Sequence, residues 1–436
     1  MPPAPTASSS SSPPPSSSSF FSDISQMNFD LSASQKEFLR AVDTVCSSLR
    51  DYEEECYLAE RLNDRLVPSF EKIGMLGCPI SKRYGGLGYD MLTYAAAIER
   101  IGMEGASMRT FFSVHTSIGQ MVLQSWADEE QQRKYLPDTV AGKKLMAFAL
   151  TEPAAGSDPA SMKTRFEERG GNFILNGKKH WIGNGTVAGV MTTYARDPAT
   201  GRISAFIVDG DSPGLRTEEM TNKMGLLTVK NAEIFFDNCI IPKENLLGVP
   251  GQGLNIAFSA LIDGRISVAA GAVGIMEDCL AECVRYAVRR EQHGSPLAKK
   301  QLMQEHIAMI KIGIESSRWL VYRAAAAAQK LHDFVGLTRS ENRDWLAKLD
   351  RHNKEYSEIR AEADMLAAVA KFHASNAAFD AADRSVQVFG SAGYRKTERV
   401  ARHFLDSRAT TIYEGANEVL ELKIAAQILG SAYSAY

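Results

Sequence analysis

Residues 151–158 collect residue types that could bind a polar ligand. They read Thr-Glu-Pro-Ala-Ala-Gly-Ser-Asp and combine hydroxyl side chains with a flexible backbone. Such a loop can offer backbone N–H groups and hydroxyls to an anionic or polar planar molecule, although the same residues also form ordinary turns. Trp181, Ile182 and Gly183 follow a predicted strand, where the indole ring could either face a ligand or belong to the core.

Other common catalytic motifs find no support in the chain. Gly251 and Gly253 resemble the start of a dinucleotide loop, but Ile256 stands where a third glycine is needed. No phosphate-binding loop, HExxH motif or GxSxG motif occurs, and the eight histidines have no metal-ligand spacing. The six cysteines form no CxxC pair, which predicts reduced thiols and no metal site.

Composition sets limits on partners and compartment. The 436 residues carry 49 basic and 52 acidic side chains, for a net charge of −3, so neither nucleic acid nor a membrane surface is an expected partner. Residues 1–29 are rich in serine and proline, and we expect them to be a disordered tail. They contain no basic residue, which makes an organellar leader unlikely and favours a cytoplasmic protein.

Hydrophobic periodicity divides the remaining chain into three blocks and predicts an α+β fold. Residues 30–147 show helical spacing, residues 148–248 show strands joined by turns, and residues 249–436 return to long helical patterns. We therefore expect an N-terminal all-α domain, a middle antiparallel β domain and a C-terminal four-helix bundle. Asn176-Gly177 predicts a tight hairpin, and the charged residues 339–362 predict an insertion or a solvated helix.

Short motifs found in order along residues 31–429 resemble those of the acyl-CoA dehydrogenase family. They are YGGLG at 84–88, TEPAAGSD at 151–158, KHWIGNG at 179–185, PKENLLG at 242–248, REQHGSP at 290–296, QVFG at 387–390 and IYEG at 412–415. The helix–sheet–helix order of this family agrees with the three blocks found independently from periodicity.

The resemblance implies that FAD binds between the β domain and the bundle and is completed by a neighbouring subunit. It assigns the ring-side contacts to Phe148, Leu150, Thr151, Ser157, Trp181 and Gly183, and further cofactor contacts to Ile182, Ala416 and Glu418. It assigns the adenosine-pyrophosphate side to Arg290, Gln292, Gln301, Gln387 and Gly390. A guanidinium at position 290 suits this role because it can bind diphosphate oxygens through two N–H groups. No metal is implied.

The same resemblance implies that Glu414 is the catalytic base. The α-hydrogen of a thioester is a weak acid, so a carboxylate must face it in a dry pocket, where its pKa rises toward the working pH. In the family, the β-hydrogen then passes as hydride to flavin N5, and the Glu414 backbone N–H stabilises the enolate oxygen. Substrate contacts are assigned to Ser157, Asp263, Arg265 and Gly415.

The implied function is α,β-desaturation of an acyl thioester by a homotetramer or homodimer. The substrate is an acyl-CoA or an acyl-carrier-protein thioester, and the electron acceptor is an electron-transfer flavoprotein or O2. An acyl-carrier-protein dehydrogenase and an acyl-CoA oxidase are alternatives on the same fold, whereas a nitroalkane-oxidase-like enzyme would usually have Asp in place of Glu414. A non-catalytic relative that binds DNA or a protein would need a basic surface near Arg395, Lys396, Arg399 and Arg402.

Overall fold

The computed structural model describes residues 29–341, 345–349 and 353–430. The predicted disordered tail therefore lies outside the described residues, apart from Phe29. Residues 31 onward form a single contact unit. In this unit, helices come first, a sheet follows and a helical bundle ends the chain, which confirms the predicted fold class.

The N-terminal block begins with a well-defined helix start. The Ser32 hydroxyl accepts a hydrogen bond from the Gln35 backbone N–H, and the Gln35 side-chain oxygen accepts one from the Ser32 backbone N–H, a capping box that fixes the first turn. The helices are α1 (Ala33–Leu58), α2 (Leu66–Glu71), α3 (Met91–Glu104), α4 (Ala106–Phe112), α5 (Met121–Trp126) and α6 (Glu129–Val140). A π-helix (Ser113–Gln120) joins α4 to α5 without a break. Such widened turns occur often at functional sites.

The middle block is one sheet with mostly antiparallel pairing. Its strands are β1 (Leu145–Ala149), β2 (Arg165–Arg169), β3 (Asn172–Ile182), β4 (Ala188–Arg196), β5 (Ile203–Asp209), β6 (Leu215–Glu219), β7 (Ala232–Pro242) and β8 (Leu246–Leu247). They lie in the order β6-β7-β3-β2-β4-β5-β8, and β1 pairs in parallel with β4. One face packs on the helices, and alternate residues on the other face form a separate core.

The predicted hairpin at Asn176-Gly177 is wrong. These residues lie inside β3, where the register against β7 shifts between Leu175 and Gly177. A Cβ on Gly177 would lie 2.5 Å from the Thr164 hydroxyl, so this glycine permits a close backbone approach at a bulge. The turn between β2 and β3 is instead made by Gly170 and Gly171, both with positive φ. The two glycine signals compete, and only strand pairing distinguishes them.

The C-terminal block contains the longest helices. They are α7 (Gly253–Arg289), α8 (Gln301–Glu341), α9 (Trp345–Lys348), α10 (Lys354–Phe389), α11 (Arg399–Thr410) and α12 (Asn417–Leu429); a small hairpin of β9 (Glu291–Gln292) and β10 (Ser295–Pro296) joins α7 to α8. The helices α3, α8 and α10 and the π-helix pack against α7 and bury most of its residues. Its length and composition would suit a membrane span, yet 83% of its most apolar window is buried inside the protein, as in a core helix.

The charged segment 339–362 is helical and only partly solvated where the structure describes it. Trp345, Leu349 and Tyr356 are buried, and the Arg339 guanidinium lies 4.4 Å from the centre of the Trp345 ring. Arg339 also donates to the carbonyl oxygen of Gln124 at 2.9 Å. Lys354 and Glu358 are exposed, as expected for a solvated helix, but the buried apolar residues could not be inferred from the charge count.

Candidate active site

A buried ion pair fixes the loop at 151–158. The Lys179 ammonium on β3 lies 2.8 Å from Glu152 Oε1 and donates to the carbonyl oxygen of Leu150 at 3.0 Å. Glu152 also accepts from the backbone N–H groups of Lys163 and Thr164. Burial would raise the pKa of Glu152, but Lys179 and these donors hold it below its usual value. The pair anchors the start of the loop and leaves Thr151 partly exposed and Ser157 exposed.

Trp181 stands at the end of β3 in an unusual conformation. Its φ is +60° and its side chain is 54% exposed, which is rare for so large an apolar residue. Ile182 is buried behind it, and Asn184 donates to the carbonyl oxygens of Phe111 and Met146 at 3.2 and 3.3 Å. The buried Ile182 and the hydrogen bonds of Asn184 thus fix the backbone on either side of Gly183, while the Trp181 ring is exposed.

The π-helix connects this strand end to α7. His115 Nδ1 accepts from the Met146 N–H at 3.1 Å, and its Nε2 lies 3.1 Å from the carbonyl oxygen of Thr139. Burial lowers the pKa of His115 to about 4, so the ring is neutral and acts as a brace. A Cβ on Gly183 would lie 2.9 Å from Val114, and one on Gly264 would lie 2.8 Å from Ile118. Phe148 and Leu150 are buried beside this helix.

Glu414 lies in a tight turn between α11 and α12. Its φ is +56° and that of Gly415 is +91°, so two consecutive residues are left-handed. Arg265 on α7 donates from Nε to the carbonyl oxygen of Glu414 at 3.1 Å, and Lys371 on α10 donates to that of Gly415 at 2.8 Å. A non-glycine residue in this conformation is strained, and such strain persists where the surroundings enforce it.

The turn aims the Glu414 carboxylate at α7. A Cβ on Gly264 would lie 2.5 Å from Glu414 Oε2, so only glycine leaves room for the carboxylate at that point of the helix. Oε2 is enclosed and has no hydrogen-bond partner among the described residues. Burial raises the pKa of Glu414 to about 7, although Arg265, Arg109 and Lys371 act in the opposite direction. The group is therefore poised to accept a proton near neutral pH.

Arg109 on α4 is the largest fully buried side chain of the described chain. It donates from Nη2 to the Tyr413 hydroxyl, whereas its Nε and Nη1 have no partner in the described residues. A Cβ on Gly271 would lie 2.6 Å from the Arg109 side chain, so a second glycine of α7 makes room for it. Gly264 and Gly271 are two helical turns, or about 10 Å, apart. A carboxylate and a partly unpaired guanidinium thus face the same stretch of the helix.

The remaining predicted site residues near Glu414 have different surroundings. Arg265 bridges the turn to Asp364 at 2.7 Å, while the Asp263 carboxylate points to His332 at 2.9 Å. Ala416 is the N-cap of α12 and provides no side-chain cap, and Glu418 is exposed in the first turn. Arg265 and Gly415 therefore contact the carboxylate-bearing turn, whereas Asp263 is held in an ion pair on another side of α7.

The five adenosine-side residues are all exposed and lie far from Glu414. Tyr286 and Phe389 stack with ring centres 4.2 Å apart, which brings the ends of α7 and α10 together and groups Arg290, Gln292, Gln301, Gln387 and Gly390. Gly264 and Arg289 are about 37 Å apart along α7. The adenosine-side residues therefore lie at the opposite end of α7 from the point that Glu414 faces.

The ring-side residues fit a flavin. The exposed indole of Trp181, the partly exposed hydroxyl of Thr151 and the exposed hydroxyl of Ser157 offer an aromatic face and hydrogen-bond donors to such a ring. The Glu414 backbone N–H donates to no atom of the described residues, and the enclosed Glu414 Oε2 is likewise unpartnered. No cluster of metal-ligating side chains occurs in the part of the chain that the structure describes.

Comparison with known families decides the assignment. Three family models cover nearly the whole chain: the acyl-CoA dehydrogenase N-terminal domain matches residues 32–143, the middle domain 147–239 and the C-terminal domain 251–429. The chain belongs to the acyl-CoA dehydrogenase family. It is therefore an FAD-dependent oxidoreductase.

Curated relatives agree over most of their length. An acyl-CoA dehydrogenase of Bacillus subtilis is 38% identical over 84% of this chain and 90% of its own. A short-chain specific acyl-CoA dehydrogenase of Clostridium acetobutylicum is 34% identical over 92% of this chain and 100% of its own.

Solved structures show the same architecture. Butyryl-CoA dehydrogenase from Megasphaera elsdenii matches with a TM-score of 0.83 and 32% identity, over 93% of this chain and 100% of that one. A glutaryl-CoA dehydrogenase in complex with glutaryl-CoA matches with a TM-score of 0.82 and 29% identity, over 94% of this chain and 98% of that one. An acyl-CoA dehydrogenase from Bacillus anthracis complexed with FAD matches with a TM-score of 0.81 and 29% identity, over 92% of this chain and 68% of that one.

Sequence reasoning missed several residues of this dehydrogenase site. Arg109 and Lys371 belong to no motif used above, and only the tertiary packing places them beside Glu414. Lys179 and Glu152 were in motifs, and their charges signalled a possible pair. The basic surface needed by a DNA-binding relative is reduced, because Arg399 and Arg402 are mostly buried and form ion pairs with Glu54.

Proposed function

We propose that the dehydrogenase desaturates an acyl-CoA thioester between Cα and Cβ, with Glu414 as the base. The observation that carries this proposal is the enclosed, unpartnered Glu414 Oε2, held against Gly264 by a strained turn. The Glu414 carboxylate accepts the α-proton, and the electron pair of that C–H bond becomes the new double bond as the β-hydrogen leaves with its own pair. Bound FAD supplies the acceptor for that hydride.

The chain supplies the stabilising groups as well as the base. The free Glu414 backbone N–H can donate to the thioester oxygen as negative charge develops on it. Arg265 and Lys371 hold the two carbonyl groups of the turn, which keeps this N–H and the carboxylate at fixed positions. Burial excludes water from the carboxylate and raises its pKa into the working range.

An acyl group with a distal oxygen acceptor is the substrate that Arg109 favours. Two of its nitrogen atoms are buried and unpaired, a costly state that a carboxylate or carbonyl of the acyl group would relieve. One solved relative is described as a complex with glutaryl-CoA, and another acts on butyryl-CoA by name. We therefore expect a short acyl chain, with a preference for one that ends in a carboxylate.

A panel of thioesters tests the reaction and its specificity together. Purified holoenzyme is mixed anaerobically with butyryl-, valeryl- and glutaryl-CoA and with a matched acyl-carrier-protein thioester, and loss of flavin absorbance is followed. We expect bleaching with acyl-CoA substrates, faster with glutaryl- than with length-matched valeryl-CoA, and loss of that difference in Arg109→Gln. Absence of bleaching with every thioester would contradict the function, whereas bleaching without discrimination would contradict only the role of Arg109.

The electron acceptor is tested in the same preparation. Reoxidation by an electron-transfer flavoprotein with little peroxide formed in air is expected for a dehydrogenase. Rapid stoichiometric peroxide production would instead assign an oxidase on the same fold.

We also propose that a second copy of the chain completes each FAD site. The adenosine-side residues are exposed at the end of α7 that lies about 37 Å along the helix from Gly264, the residue that Glu414 faces. Exposed apolar side chains on α8, among them Leu302, Ile312 and Trp319, provide a surface for such a contact. A homotetramer or homodimer satisfies both observations.

A further inference from the structure

We propose that Lys371 is a positioning residue for Glu414. Its ammonium binds the carbonyl oxygen of Gly415, the residue after Glu414, while Arg265 binds the carbonyl oxygen of Glu414 itself. This inference rests on the proposed role of Glu414 as the base. Lys371 forms no hydrogen bond with the Glu414 carboxylate and binds the backbone carbonyl of Gly415 instead, so it acts on Glu414 through the turn and through its charge.

The ammonium is bound on both sides of Ala416. It donates to the carbonyl oxygen of Gly415 at 2.8 Å and to Asn417 Oδ1 at 2.8 Å. Asn417 is itself fixed, since its amide donates to Ser375 Oγ and Asn376 Oδ1, both at 3.0 Å. The Lys371 side chain therefore links the end of the turn and the first residue of α12 to α10, and Ser375 and Asn376 hold Asn417 on the same helix.

Two cations from two helices hold two consecutive carbonyl groups. Arg265 on α7 binds the carbonyl of Glu414, and Lys371 on α10 binds that of Gly415. Both residues of the turn are left-handed, a conformation that a glutamate does not keep unless its surroundings impose it. Loss of either cation should let the turn relax and move the carboxylate away from Gly264.

Packing alone does not explain a lysine at this position. The side chain is fully buried in a bundle of mostly alanine neighbours, and a methionine of similar length would fill the space without desolvating a charge. Charged groups facing the ammonium are Glu414, Arg265 and Glu418. Burial lowers the pKa of Lys371 to about 7, while Glu414 and Glu418 favour its charged form. The lysine thus stabilises an ionised Glu414 as well as its position.

Two neutral variants separate the clamp from the charge. Lys371→Met removes both, whereas Lys371→Gln keeps a donor for Gly415 and removes the charge. Lys223→Met is the matched control: its ammonium also binds two backbone carbonyls, of Leu226 and Val229, and an asparagine, Asn231, but away from Glu414. FAD content of each purified variant is measured first.

The readouts are α-proton exchange of bound acyl-CoA in D2O and the pH dependence of anaerobic flavin reduction. In both Lys371 variants, we expect the pH below which the rate of flavin reduction falls to be higher than in wild type by about one pH unit. At a fixed pH below that point, the rate should be about tenfold lower than in wild type. Lys371→Met should lose further rate at every pH, because the turn is also released. Lys223→Met should keep the wild-type pH dependence and exchange rate.

The outcomes distinguish this inference from the proposed function. A wild-type pH dependence and exchange rate in both Lys371 variants would overturn it, as would an equal change in Lys223→Met. If Lys371→Met fails to retain FAD, the pH dependence of flavin reduction by Lys371→Gln alone tests the inference. A Glu414→Gln enzyme that still exchanges the α-proton would overturn the role of Glu414 itself, independently of Lys371.

Discussion

The protonation of a single carboxylate links structure to activity at the residue scale. Glu414 is enclosed against α7 with three cations around it, Arg265, Arg109 and Lys371, yet burial outweighs them and raises its pKa to about 7. A base with a pKa near the working pH combines an available ionised form with enough basicity to remove an α-proton. Its enclosed Oε2 also has no hydrogen-bond partner among the described residues that would lower its basicity.

The pH dependence of catalysis follows from this group. As the proposed base, Glu414 can accept a proton only when it is ionised, so the rate of flavin reduction at low thioester concentration should fall about tenfold per pH unit below about 7 and level off above it. Anaerobic stopped-flow measurements between pH 5.5 and 8.5 check the profile. A flat profile across this range would show that another group, or none, takes the proton.

A glycine inside a helix makes room for the base at the element scale. Gly264→Ala should raise the intrinsic helix stability of α7, yet its Cβ would lie 2.5 Å from Glu414 Oε2. We expect the carboxylate to be displaced and the rate of flavin reduction to fall at least about tenfold, a change of about 1.4 kcal/mol in barrier. FAD content should be unchanged.

Gly336→Ala provides the matched control for this substitution. Gly336 lies in α8, and a Cβ there would meet nothing within 4 Å. This variant should gain about 0.5–1 kcal/mol of unfolding free energy without any effect on rate. Equal rates in the two variants would show that Gly264 does not provide the space for Glu414.

Some elements were predictable because their signals are local. The capped start of α1, the long helical patterns and the motif order all follow from short-range spacing, and these gave the correct fold class. The bulge at Gly177 and the packing of residues around Trp345 depend on neighbours distant in sequence. For the same reason Arg109 and Lys371 could not be found from spacing, whereas Glu414 could, through its motif.

Buried acidic groups couple separate blocks at the scale of the whole molecule. Glu53 on α1 accepts from Asn63 at 2.9 Å and from Thr228, in the segment between β6 and β7, at 2.7 Å. Nearby, Tyr57 on α1 and the backbone N–H of Leu226 both donate to Asp406 on α11. Burial raises the pKa of Glu53 to about 7. The contact between the helical and β blocks is therefore sensitive to pH.

The sign of that sensitivity is defined. Because the folded pKa of Glu53 lies above its ordinary value, its contribution to stability is fully present below about pH 4.5 and is lost as pH rises through about 7. As the pH rises from 5 to 8, the free energy of unfolding of Glu53→Gln should therefore increase relative to that of wild type by up to about 3 kcal/mol. Thermal unfolding of both proteins at several pH values measures this, and Glu55→Gln on the exposed face of α1 is the control. A pH-independent difference would contradict the account.

Sharing of the FAD site between copies predicts complementation. Glu414→Gln and Arg290→Ala change opposite halves of the proposed site. Each variant alone should reduce flavin poorly, but hybrid oligomers formed by mixed refolding should contain sites with both halves intact and recover up to about one quarter of wild-type activity in a dimer, as expected for random pairing. If mass spectrometry confirms that hybrid oligomers have formed and they show no recovered activity, each chain builds its own FAD site.

The most direct measurement is anaerobic flavin reduction by Glu414→Gln. The amide keeps the size of the side chain and its place against Gly264 but cannot accept the α-proton. We expect wild-type FAD content and thioester binding, with the reduction rate lowered by about 10²–10⁴-fold, the range for loss of a general base. Reduction at the wild-type rate by this variant would contradict the assignment of Glu414 as the base.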